Sequence, residues 1–143
     1  MLSDPVLVDT GALLAMYNKR DQHHEACREQ SLNLPLGKVF TCWPVITEAV
    51  YMLGEKAALR EEMLDTVQSQ DMQILALRSG DLQGIRDVFE KYHDQQVDLA
   101  DACLVHLAER ENIGSIFTTD RRHFSVFRKL NGEAFSLLPD AMM

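Results

Sequence analysis

Cysteine is scarce in this 143-residue sequence: Cys27, Cys42 and Cys103 are odd in number and far apart, with no CxxC or CxH spacing. That argues against a disulfide framework and a zinc site, suits a reducing cytosol, and leaves the three thiols as small core residues. No apolar run approaches the roughly 18 residues that a membrane span requires. The N-terminus carries neither the basic nor the apolar region of a secretory leader. A cytoplasmic location without membrane contact is therefore expected. Positive charge is also short, since 14 Lys and Arg against 22 Asp and Glu leave a net charge of −8. A tight, nonspecific nucleic-acid binder carries a basic footprint. The clearest basic stretch here crowds Arg121, Arg122, His123, Arg128 and Lys129 together. Carboxylates that bind a metal count as negative in the formal sum although the ion neutralises them locally, so an acidic total leaves a nuclease open. Repeats, low-complexity tracts and linker-like stretches are absent, which gives a single domain over residues 1–143, long enough for one core.

What the chain does have is an alternation of short apolar runs and helical periodicity. Val6–Val8, Val39–Trp43, Gln73–Leu77, Ser115–Thr118 and Phe135–Leu138 read as strands. Thr10-Gly11 reads as a tight turn before a helix that opens at Ala12. Asp21 is placed to cap a second helix through Cys27, and Pro44 suits the first turn of a third running to Leu53. Leu59, Met63 and Val67 stand at i, i+4 and i+8 of a fourth. Further helices are expected over Asp81–Tyr92 and Asp98–Glu111. This order predicts an α/β, three-layer α/β/α fold around a parallel sheet of about four to five strands. Ligands in such folds sit beyond the carboxyl ends of the strands, where Asp9 and Asp120 both stand.

Glu48 is the only charge in an otherwise apolar helix, Val45 to Leu53. A carboxylate there needs a cation, hydrogen-bond donors or a rim position that reaches water. Asp98 and Asp101, at i and i+3, share one helix surface. Asp101 borders the apolar stripe of Ala100, Leu104 and Ala108, which favours a metal ligand. Asp98 lies away from it and reads equally well as an N-cap. Asp9 and Asp120, taken singly, fit turn or cap roles. Gathered at one rim, Asp9, Glu48, Asp101 and Asp120 would repel one another without a hard cation, and all-oxygen ligation selects Mg²⁺ or Mn²⁺. His23 and His24 lack metal-ligand spacing and read as surface or capping residues, while Trp43 and Pro44 read as packing residues.

Val8-Asp9-Thr10-Gly11-Ala12, the Glu48 helix after Thr41-Cys42-Trp43-Pro44, Asp98-Leu99-Ala100-Asp101-Ala102, and Thr118-Thr119-Asp120-Arg121-Arg122-His123-Phe124 closely resemble the PIN-domain family. The spacing is similar to that of its VapC-type toxins, and the likeness runs from Val6 to Pro139. It implies a metal-dependent endoribonuclease, with Asp9, Glu48, Asp101 and Asp120 at the four acidic positions. Asp98 is a companion residue, either a further ligand or a cap, and Thr118 matches a small hydroxyl residue near the metal. Arg121, Arg122 and Arg128 either hold flanking phosphates, with Thr118 among the substrate-binding groups, or form a solvated basic turn. The resemblance further implies an RNA substrate, a cognate antitoxin laid along the active-site groove, and a homodimer. The alternative is a PIN-like module that binds RNA or protein without cutting. Other aspartate-centred folds fit poorly. Gly11 stands where a haloacid-dehalogenase-like phosphatase needs a second aspartate, and no GxGxxG or GxxxxGK[ST] marks a nucleotide site.

Overall fold

A computed structural model of the chain describes residues 3–140. Five strands form one parallel sheet: β1 (Val6–Val8), β2 (Val39–Thr41), β3 (Gln73–Ile74), β4 (Ser115–Phe117) and β5 (Ser136–Leu138), in the order β3-β2-β1-β4-β5. Around it run α1 (Thr10–Tyr17), α2 (His24–Ser31), α3 (Trp43–Leu53), α4 (Ala57–Gln68), α5 (Leu82–Lys91), α6 (Leu99–Glu111) and α7 (Arg121–Phe124). Parallel neighbours need crossover connections, and right-handed crossovers running in opposite directions from β1 put helices on opposite faces of the sheet. The expected α/β architecture is thus observed. β1 is buried at all three positions because strands cover it on both edges and helices on both faces. Leu7, Ile116 and Phe117 pack with Leu13, Leu104 and Leu107 in one apolar cluster. The three cysteines belong to that cluster, and burial pushes their thiols up to about 11 or 12, so they are inert packing residues.

Several boundaries differ from expectation for identifiable reasons. Helix α1 begins at Thr10, directly after Asp9, so Gly11 lies in a helical turn and not in a tight loop. A Cβ on Gly11 would collide with Thr119 Oγ1; the glycine serves close packing of α1 against the loop after β4. Strand β3 stops at Ile74 because its neighbour β2 ends at Thr41 and offers no further ladder partner. The helix after Asp81 is preceded by a 3₁₀ turn, Ser79–Asp81. Asp21 accepts the His23 N–H at 2.8 Å two residues before the capping position that His23 itself occupies, so it shapes the approach to α2 without capping it. His24 is buried, not a surface residue, with its Nδ1 2.7 Å from the Ala15 carbonyl, tying α2 to α1. Trp43 is 56% exposed and packs less than its type suggests.

Candidate active site

The sheet order reverses direction between β1 and β4, which is the position where doubly wound sheets open a crevice at their strand carboxyl ends. Asp9 follows β1 and Asp120 follows β4 by three residues. Glu48 arrives from the middle of α3, and Asp98 and Asp101 from the N-terminal end of α6. All five carboxylates line one open cleft of about 360 Å³, together with Thr10.

Asp9 alone of the five is buried. Its backbone caps α1, yet its carboxylate makes no capping bond. Instead Oδ2 accepts the Thr118 hydroxyl at 2.8 Å, and the Thr118 oxygen accepts the Asp120 N–H at 2.9 Å. A short relay thus joins Asp9 to the Asp120 backbone. Burial pushes the Asp9 carboxyl up to about 7, opposed by the Thr118 hydroxyl and the Thr10 N–H and reinforced by the charges of Asp101 and Glu48. Thr118 itself is fully buried, and its hydroxyl is committed to these two partners. Its geometry therefore makes it a support for Asp9, not a group that meets substrate.

On α6 the sequence pattern Asp98-x-x-Asp101 closes a reciprocal capping box. Asp98 Oδ1 accepts the Asp101 N–H at 2.8 Å, and Asp101 Oδ2 accepts the Asp98 N–H at 3.2 Å. Asp101 Oδ2 also accepts from His123 Nε2 at 2.9 Å. Burial raises the Asp101 carboxyl to about 6, while the Asp98 N–H and His123 pull the other way. Glu48 is likewise raised, first by burial and then by Asp98, with the Thr10 hydroxyl easing its charge. That proximity falls short of a well-formed hydrogen bond, because Thr10 Oγ1 is buried without a partner. Asp120 caps the single turn of α7 by accepting the His123 N–H at 3.1 Å.

The basic residues separate on inspection. Arg121 Nη1 binds the Leu137 and Pro139 carbonyls, closing the end of β5. Arg128 Nη1 is similarly taken up by the Ser125 and Phe127 carbonyls, at 2.5 and 2.9 Å. Those two arginines each spend Nη1 on bracing the fold. Arg122 is exposed at the same turn. Thr10 and His123 were not among the sequence candidates. Thr10 had no signal beyond adjacency to Asp9, and His123 was visible only as part of a basic stretch.

Among the described residues, no three His, Cys, Asp or Glu side chains form a ready-made ligand set. The donors are nonetheless all oxygen, several carboxylates are destabilised by burial and one another, and a buried hydroxyl is orphaned beside them. This set fits a hard divalent cation that binds through one or two carboxylates and retains several waters.

Comparison with known proteins agrees with the geometry. Ribonuclease VapC26 of Mycobacterium tuberculosis is 27% identical over 136 residues, covering 94% of this chain and all of that protein. The crystal structure of M. tuberculosis VapC20, a Sarcin-Ricin loop cleaving toxin, superposes with a TM-score of 0.73 at 14% identity, over 81% of this chain and 90% of that one. A toxin-antitoxin complex from Klebsiella pneumoniae gives a TM-score of 0.65 at 16% identity, over 96% of this chain and 99% of that one. The PIN domain family matches residues 6–130. The chain belongs to the PIN domain family.

Proposed function

We propose that the chain is an endoribonuclease, the toxin of a type II toxin-antitoxin pair, hydrolysing RNA phosphodiester bonds with Mg²⁺ or Mn²⁺. One observation carries this reading: Asp9, Glu48, Asp101 and Asp120 reach a single cleft at the sheet's switch point from four separate segments. The named ribonuclease relative and the toxin-antitoxin neighbour support it.

Bound among these carboxylates, the cation supplies neutralisation of phosphate charge and a lowered pKa for its water. The chain's own residues do the positioning. Asp9, held by the Thr118 hydroxyl, and Asp101, held by His123 and the Asp98 N–H, serve as anchors for the ion, with Asp120 beside them. Glu48, on the rigid α3, orients the attacking water, and the unpartnered Thr10 hydroxyl is available to substrate or water at the same spot. Arg122 steadies a flanking phosphate. Beyond Glu48 and Asp98 the cleft continues into an apolar groove lined by Trp43, Tyr51 and Leu99, which offers a cognate antitoxin a seat over the site.

The test is to incubate purified protein, freed of any partner, with structured and single-stranded RNA in Mg²⁺, Mn²⁺ or EDTA, with Asp101→Asn alongside. Cleavage that needs metal and vanishes in the variant is the expected result. Metal binding without cleavage of any RNA would point to a noncatalytic module, and no metal binding would overturn the reading of the cleft.

A further inference from the structure

His123 touches two of the acidic residues at once. Its ring Nε2 lies 2.9 Å from Asp101 Oδ2, and its backbone N–H donates to Asp120 Oδ1 at 3.1 Å. It thereby links the start of α6 to the loop after β4, two segments that meet at the site. Asp101 Oδ2 already accepts the Asp98 N–H, so this oxygen has two donors. No hydrogen bond to Asp101 Oδ1 occurs among the described residues. A carboxylate only accepts, so Nε2 carries the proton in this contact. The ring is held edge-on by Phe124 at 5.8 Å and Phe127 at 5.2 Å, with interplanar angles of 76° and 89°. Both phenylalanines are fully buried, so the imidazole has little freedom to turn away.

We propose that His123 is a positioning residue for the metal centre: it locks the Asp101 carboxylate by occupying Oδ2 and leaves Oδ1 as the oxygen offered to the cation. This rests on the reading of the cleft as a divalent-metal site. Groups that hydrogen-bond a metal's ligands fix ligand orientation, and losing them costs roughly 10- to 100-fold in metal affinity or activity. The competing role is packing alone, with the ring serving merely as a third aromatic beside Phe124 and Phe127.

Two substitutions separate these roles. His123→Phe keeps the edge-on aromatic contacts and removes the donor, whereas His123→Gln keeps an N–H near the Nε2 position and removes the ring. The readout is Mn²⁺ binding to the full chain by calorimetry without RNA, with thermal melting in chelator as the control for folding. The expected result is binding weakened at least about 10-fold in His123→Phe and largely recovered in His123→Gln. Equal Mn²⁺ affinity in His123→Phe and the unsubstituted chain would overturn the proposal. Should His123→Phe fail to fold, nuclear magnetic resonance of the unsubstituted protein decides: a hydrogen-bonded His123 Nε2–H that persists when Mg²⁺ is added supports the clamp, and a proton found on Nδ1 instead overturns it. Absence of Mn²⁺ binding to the unsubstituted protein, or binding unchanged by Asp9→Asn, overturns the metal-site reading itself and this proposal with it.

Discussion

Asp9 sits in surroundings that resist its charge. With the carboxyl raised from 3.8 to about 7, the native state holds a proton that the unfolded chain has already released across that interval. Stability therefore falls as pH rises from about 4 to about 7 when metal is absent, and stays reduced above that range. Asp9→Asn removes this cost, so in chelator the variant should be more stable than the parent by on the order of 2–3 kcal/mol near pH 7.5 and by little near pH 4.5. Urea unfolding at the two pH values checks it, and the same variant should have lost cleavage. Thr118→Val keeps the shape of the side chain and removes the donor to Asp9. It is expected to cost about 1–2 kcal/mol and to reduce cleavage roughly 10- to 100-fold, read by melting and initial rates. The acidic residues were legible in the sequence because a charge inside an apolar segment stands out, as at Glu48. Of their supports, Thr118 was named only through the family resemblance and His123 only as part of a basic stretch. Thr118 bonds to a residue 109 positions away and His123 to one 22 positions away, contacts that no local pattern encodes.

Elements that carry the site are held by their ends. Asp98 caps α6 and, through the same box, fixes the backbone of Asp101. Asp98→Ser preserves a capping oxygen and is expected to stay within about 0.5 kcal/mol of the parent, while Asp98→Ala loses about 1 kcal/mol. Because Asp98 Oδ1 is committed to the cap, Mn²⁺ affinity should survive in Asp98→Ser; its loss there would make Asp98 a ligand. Arg121 and Arg122 are adjacent but do different work. Arg121→Ala strands the Leu137 and Pro139 carbonyls and should destabilise by about 1–2 kcal/mol. Arg122→Ala should leave stability unchanged and lower the salt dependence of RNA binding by about one phosphate contact. Helical and strand periodicity made the order of elements readable, and the Asp98–Asp101 spacing made the cap readable. The helical placement of Gly11 was hidden, because a glycine signals a turn and a close approach equally well until its neighbour, Thr119, is known.

At the scale of the whole molecule, topology reconciles an acidic chain with the ribonuclease activity proposed for it. The strand order turns back on itself between β1 and β4, and the loops that part there bring together side chains from residues 9 to 120. Much of the charge in the cleft is negative by design of that convergence, so a net charge of −8 overstates the repulsion that RNA meets once a cation is bound. No helix among the described residues is long and apolar enough to cross a membrane. The parallel sheet followed from alternating periodicities alone. Its strand order did not, since the sequence says which segments are strands and not which of them pair. Whether the converging carboxylates form a catalytic metal site is decided by the initial rate of RNA cleavage against free Mn²⁺, for the parent and Asp9→Asn. The rate should climb from background in EDTA to a plateau in the parent and stay at background in the variant. Cleavage that persists in EDTA, or an Asp9→Asn curve that follows the parent, would contradict it.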